Sequence, residues 1–257
     1  MKVPAKKYIY IIKNSFLEGN QSFFSTLLSL VYPLIEISGL VFLYSYITSD
    51  DSGFLTRGVV IYFSFILVTT TLDYRRFASK LQSMIVDERY INIDQMPVHP
   101  FFYTFCESIG RSFVTLMLLI TIGIGVLLFY GTPVIGVMLY IPVVLICLLL
   151  SHLIYYNYTL LTFYAEKHVK IWFFGIIFDF LSGKLVPLGF LPMILQKVFL
   201  SFMPFVYAAG ALGNAFSDFN LRTLLTSSAI ALFWVLLLIF TGNRIWAHGG
   251  RVFQERG

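Results

Sequence analysis

The chain has 257 residues, 58% of them hydrophobic and 12% charged, with a net charge of +5. Apolar residues in long blocks with so few charges exclude an ordinary soluble domain and point to a polytopic membrane protein. The basic excess is no nucleic-acid signal, because the Lys and Arg residues flank apolar spans and form no soluble patch.

In chain order, residues 1–21 carry Lys2, Lys6, Lys7 and Lys13 among Tyr8, Ile9, Ile12 and Phe16. The apolar runs are too short to cross, so the pattern predicts an amphipathic helix lying in the headgroup layer. No cleavable signal peptide fits it. Residues 22–257 then read as one transmembrane domain. A first span is expected at about 23–47, containing Pro33 and, near its middle, Glu36. The acidic turn at 49–53 closes it. A second span is expected at 54–72, with Arg57 able to snorkel at its end. Polar sequence at 73–100 follows as a cytoplasmic loop.

Glu107 and Arg111 stand four apart, which suits a helix start bearing a solvated ion pair, and the third span is expected at 113–130. Gly131, Thr132 and Pro133 make a turn into a fourth span at 134–163, with His152 and Asn157 on its inner half. A polar link including Lys167 and Lys170 leads to a fifth span at 171–189 that passes Asp179. The stretch from Phe180 to Ala211 is as apolar as a span but is broken by Gly183, Pro187, Gly189, Pro192 and Pro204 and carries Lys184 and Lys197. Broken backbone at membrane depth needs protein or water beside it, so re-entrant or interfacial helices are expected here, lining a path. A sixth span is expected at 223–240, followed by a short basic tail.

The fold class expected is therefore all-α and polytopic: six transmembrane helices, an N-terminal interfacial helix, and re-entrant or interfacial helices between spans five and six. Fourteen basic residues, among them Arg75, Arg76, Lys80, Arg111 and Arg244, fall on one face of this scheme. Only Arg57, Lys184, Lys197 and Arg222 fall opposite, which makes the first face and both termini cytoplasmic by the positive-inside rule.

No catalytic centre is legible. The sequence holds no G-x-x-x-x-G-K-[ST], H-E-x-x-H or G-x-S-x-G motif. Cys106 and Cys147 lie unpaired in apolar sequence and read as core thiols, and the four His residues are scattered, so no metal site is expected. Glu36 and Asp179 are functional candidates because an ionisable group at mid-membrane is costly and faces a bundle interior or an aqueous cavity. A helix-to-helix hydrogen bond is the alternative for each, and Asp179 with Lys184, five apart, allows a loose pair.

The order of elements resembles the membrane subunit of an ABC-2 type transporter. Leu181-Ser182-Gly183, Pro187, Leu191-Pro192 and Pro204-Phe205-Val206-Tyr207 carry the likeness, together with Trp246, Gly249, Gly250 and Arg251 near the end. The resemblance covers essentially the whole chain. It departs from the family pattern at Glu88 or Arg89, where a glycine is usual. It implies an exporter permease in a bacterial plasma membrane, paired with a second permease subunit, identical or homologous. The chain itself would hold no cofactor, and ATP and Mg would bind a separate ABC ATPase. The resemblance further implies ATPase contacts at Asp87, Glu88, Arg89 and Tyr90 within the loop at 73–100, and a substrate path past Glu36, Asp179, Ser182 and Lys184. Two other readings stand beside it. One is a secondary transporter coupled to protons through Glu36 or Asp179; the other is a non-transporting membrane partner protein.

Overall fold

A computed structural model describes residues 5–19, 23–47, 53–86, 99–165 and 169–254. Asp87, Glu88, Arg89 and Tyr90 lie outside the described residues. Helix α1 covers Ala5–Gly19. It keeps Ile9 and Tyr10 exposed and lays Ser15 against α5 (Pro100–Arg111). The approach is so close that a Cβ on Gly110 would stand 2.6 Å from the Ile12 carbonyl oxygen. Two edge-on ring pairs, Tyr8 with Phe102 and Phe16 with Phe113, extend that contact.

Helices α2 (Phe23–Ile47) and α3 (Gly53–Thr69) differ in what they bury. Along α2 the large residues Tyr32, Ile35, Phe42 and Tyr46 are exposed, whereas α3 buries Ile61, Tyr62, Phe63, Phe65, Ile66 and Val68. An all-round apolar helix is expected at the centre of a bundle, and α3 holds that place, touching α2, α6 (Phe113–Phe129), α7 (Val134–Leu160) and α12 (Gly210–Ser217).

The loop expected from residue 73 begins as a helix. In α4, Tyr74–Val86, the residues Tyr74, Phe77, Ala78, Leu81 and Ile85 are buried, and α4 packs on α5 and α7. Their spacing of three and four along the sequence is a helical stripe, so this half of the segment belongs to the core. The ion pair expected to be solvated is also buried. The Glu107 side chain is 4% exposed and accepts from Lys80 as well as Arg111.

Helix α5 and helix α6 meet at a bend of 69°. Among the described residues, two stretches of helix are long and apolar enough to cross a membrane, Val134–Ala165 and Leu221–Gly249, and a third is added if the bent pair counts as one. The first includes α7 and the short α8 (Thr162–Ala165). The apolar stretches Val31–Ile47, Ile171–Leu181 and Met193–Phe202 are shorter. All regular secondary structure among the described residues is therefore helical, with two or three candidate crossings where the sequence suggests six.

Two boundaries move for physical reasons. The fifth expected span stops early: α9 is Ile171–Leu181, ended by Gly183, whose φ of 83° no helix continues. The basic tail is no tail, since α13 runs unbroken through Leu221–Gln254, 34 residues or about 51 Å at about 1.5 Å per residue. That length exceeds a hydrocarbon core of about 30 Å, so the helix is long enough to cross one with its basic end left over. Asn157 ties α13 to α7, donating to the Leu238 carbonyl at 3.0 Å and accepting from the Thr241 hydroxyl at 3.2 Å. Polar bonds of this kind hold helices together where no hydrophobic force can.

Candidate functional site: a charged cavity beside a broken segment

Between α9 and α13 the chain forms a 3-10 turn (Leu188–Phe190), α10 (Met193–Phe202), α11 (Pro204–Tyr207) and α12. Pro192 precedes α10 as its N-cap and Pro204 opens α11, where a missing N–H costs nothing. The segment expected to be broken is so, and its freed carbonyls are met from within. Tyr62 Oη donates to Gly183 O at 2.7 Å, Tyr44 Oη to Leu185 O at 2.9 Å, Gln196 Nε2 to Leu191 O at 2.7 Å, and Tyr207 Oη to Leu200 O at 2.6 Å. An apolar setting demands this, because an unmet buried carbonyl costs several kcal/mol where no water reaches it.

The end of α9 sets the site. Gly183 N–H donates to Phe180 O and Lys184 N–H to Asp179 O, the paired bonds of a Schellman ending with glycine in the left-handed position. The Ser182 hydroxyl donates to the same Asp179 carbonyl. The turn reverses the chain at once and brings Lys184 beside α2. Lys184 Nζ lies 3.1 Å from Glu36 Oε1, and Arg75, at the start of α4, pairs with Asp179. Lys184, which spacing offered to Asp179, has its ion pair with Glu36, and Asp179 has its own with Arg75.

These four residues line one cavity of about 400 Å³ with Tyr32, Pro33, the turn Thr70–Asp73, Tyr155 and Phe178. Glu36, Asp179 and Lys184 are thus brought together. Ser182 is not among the lining residues; it is fully buried and serves the turn. Arg75 and Lys184, set on opposite faces by the positive-inside assignment, share this space. Asp73 is partly engaged, accepting from the Arg76 N–H at 3.1 Å at the start of α4. The Lys184 and Asp179 side chains are 15% and 17% exposed, so the pairs are half desolvated and mutually dependent.

No protein-family model and no curated protein matches this sequence. What the chain does must be argued from its own residues.

A second cavity of about 280 Å³ lies against the middle of α3, lined by Gly58, Tyr62, Phe63, Pro187, Asn214 and Asp218 among others. Residues 183–187 of the broken segment contribute Lys184 to the first cavity and Pro187 to the second. Elsewhere the candidates are structural. His152 lies in an aromatic setting with Phe101 and Phe105, its Nε2 3.1 Å from the Thr104 hydroxyl. His99 caps α5, and both cysteines are buried and free. No group of three potential metal ligands occurs among the described residues.

Sequence reasoning missed Arg75, Tyr155 and the two tyrosines that serve the break. Arg75 had a signal, a cation within three residues of the apolar run ending at Leu72. Tyr44 and Tyr62 had none beyond a hydroxyl inside a span, which must find an acceptor.

Proposed function

We propose that the chain is the membrane-spanning permease subunit of an ATP-driven ABC exporter, moving substrate through a path formed with a second permease subunit and powered by a separate ATPase. The observation that carries the permease reading is a pair of cavities, one against the middle of α3 and one just beyond its C-terminal end, that share one broken, internally hydrogen-bonded segment. A path across a bundle needs polar space at depth and a barrier able to rearrange. The charged cavity supplies the first. The stretch from Gly183 to Pro187, which Tyr62 and Tyr44 hydroxyls tie to α3 and α2 and the Lys184–Glu36 pair ties to α2, supplies the second. Glu36, Asp179 and Lys184 line the path in this reading, and Ser182 shapes the turn that positions Lys184.

The dependence on ATP is supported by the resemblance carried by Leu181-Ser182-Gly183, Pro192 and Pro204-Phe205-Val206-Tyr207, and by the absence of a nucleotide motif from the sequence. Helix α4 leads directly from the cavity residue Arg75 towards Asp87, Glu88, Arg89 and Tyr90, the proposed ATPase contacts. A partner pushing on that segment would act on the Arg75–Asp179 pair through one helix.

The test is purification of the tagged chain from its native membrane, followed by reconstitution. Copurification of a P-loop ATPase and transport that requires ATP are expected. Transport by the chain alone, driven by a proton gradient and indifferent to ATP, would overturn the proposal in favour of a secondary transporter working through Glu36 or Asp179.

A further inference from the structure

The charged cavity holds its buried charges in pairs. Glu36 pairs with Lys184 and Asp179 with Arg75, while a third acid lining the space, the exposed Asp73, caps α4 by accepting from the Arg76 N–H. A ligand bearing a single charge would have to compete with one member of a pair and leave the other uncompensated in a half-buried setting, at a cost that offsets what it gains. A ligand bearing both charges has no such difficulty. Its anion takes Lys184 while its cation takes Glu36, and every charge stays paired throughout the exchange.

We propose that the cavity binds a zwitterion carrying an ammonium and a phosphate or other acid group, with Lys184 and Glu36 as the exchanged pair and Arg75–Asp179 as the standing wall. This rests on the permease reading and names the substrate class of the same site. A volume of about 400 Å³ suits a small headgroup-sized moiety. The chemistry is shared by a free zwitterion and by the headgroup of a membrane amphiphile. The rim favours the amphiphile: Tyr32, which lines the cavity, is 72% exposed, and Ile35 beside it is exposed on the same helix. An apolar tail would lie along α2 with the headgroup inside.

The experiment uses the full chain, with any ATPase that copurifies, in an uncharged maltoside micelle at neutral pH without ATP. Equilibrium binding is measured for radiolabelled decylphosphoethanolamine, decyl methyl phosphate and decylamine, which share one tail and carry both charges, one negative charge and one positive charge respectively. Decylphosphoethanolamine is expected to bind at least about tenfold more tightly than either singly charged probe. Neutralising the pair by Glu36→Gln with Lys184→Met is expected to remove that preference. Exchanging it by Glu36→Lys with Lys184→Glu is expected to keep the preference, because both charges still face one space.

Equal affinities for the three probes, or an undiminished preference in the neutral variant, overturns the proposal. If the neutral variant does not fold, the exchanged variant decides, and loss of the preference in a monodisperse preparation of it also overturns. Competition by tail-free glycerophosphoethanolamine, a phosphodiester zwitterion with the same charges, distinguishes the sources. Strong competition supports a free zwitterion, and weak competition supports a membrane amphiphile. Binding is read without ATP, so its failure leaves the permease proposal standing, and a failure of ATP-driven transport leaves the binding result intact.

Discussion

Lys80 on α4 and Glu107 on α5 form a two-pronged ion pair, the ammonium 2.7 and 2.8 Å from the two carboxylate oxygens. Arg111 reaches the same carboxylate at 3.4 Å and extends to Glu18 on α1 at 2.7 Å, so one chain of charges ties three helices together. The buried member is Glu107, and the outcome of breaking the chain depends on which end is cut. Lys80→Met leaves Glu107 with Arg111 alone and should lower stability by about 2 kcal/mol, because a buried carboxylate loses its best donor. Lys80→Met combined with Glu107→Met should recover most of the loss. Thermal unfolding of the unsubstituted protein and the two variants in detergent checks this, and an equal loss in single and double variants would refute it.

At the contact of α1 with α5, Gly110 leaves no room for a side chain. Gly110→Ala would place a Cβ 2.6 Å from the Ile12 carbonyl oxygen and 2.9 Å from Ser15 Cβ, and backbone must shift to admit it. A loss of about 1–3 kcal/mol is expected, with α1 released to protease before the rest of the chain. Gly125→Ala on α6 is the control, since nothing lies within 4 Å of its Cβ. Helix propensity alone then operates, and the change should be neutral or favourable by up to about 1 kcal/mol.

The break after α9 should be as sensitive as any core position. Gly183→Ala meets two penalties, a left-handed φ of 83° and a Tyr62 hydroxyl 2.5 Å from the new Cβ. Tyr62→Phe removes the donor to Gly183 O and leaves a buried carbonyl unmet, costing about 1–3 kcal/mol. If the segment is the movable barrier, Tyr62→Phe should also raise the basal transport rate in proteoliposomes. Reduced stability with an unchanged leak would assign the hydrogen bond to folding alone.

His99 predicts a pH dependence outside the apolar core. Its Nδ1 accepts from the Phe101 N–H at 3.3 Å and so must be unprotonated to cap α5, and burial holds its pKa below the ordinary 6.5. Below pH 6.5 the unfolded chain binds a proton that the folded chain resists, so stability falls as the pH falls towards the lowered folded value and is level above 6.5. His99→Asn keeps a capping acceptor without a titrating ring and should flatten the profile. Melting temperatures between pH 5 and 8 for both proteins check this; parallel profiles would place the acid sensitivity elsewhere.

Much of the local architecture was legible. The apolar blocks predicted helices, Pro and Gly predicted where residues 180–211 break, and the depth of Glu36 and Asp179 in apolar sequence marked them as costly and therefore partnered. Residues 74–86 looked like a polar helical loop outside the core because their mean polarity is high, yet the stripe from Phe77 to Ile85 was present for the helix to bury. Residues 171–189 looked like one crossing because length was counted through Gly183, which turns the chain back.

By itself the sequence determined the class of the protein and its punctuation. Periodicity and breakers act within a few residues, so the helices, the glycine ending of α9 and the unfitness of 180–211 to cross in one piece follow from neighbours along the chain. Only the tertiary structure decided the partners. Arg75 and Asp179 stand 104 positions apart, Tyr62 and Gly183 stand 121 apart, and Lys184, the nearer choice that spacing suggested for Asp179, has its ion pair with Glu36. A charge or a hydroxyl inside an apolar chain must be satisfied, but which group satisfies it depends on how helices stack and rotate. That is set by the whole core at once, and no local stretch contains it.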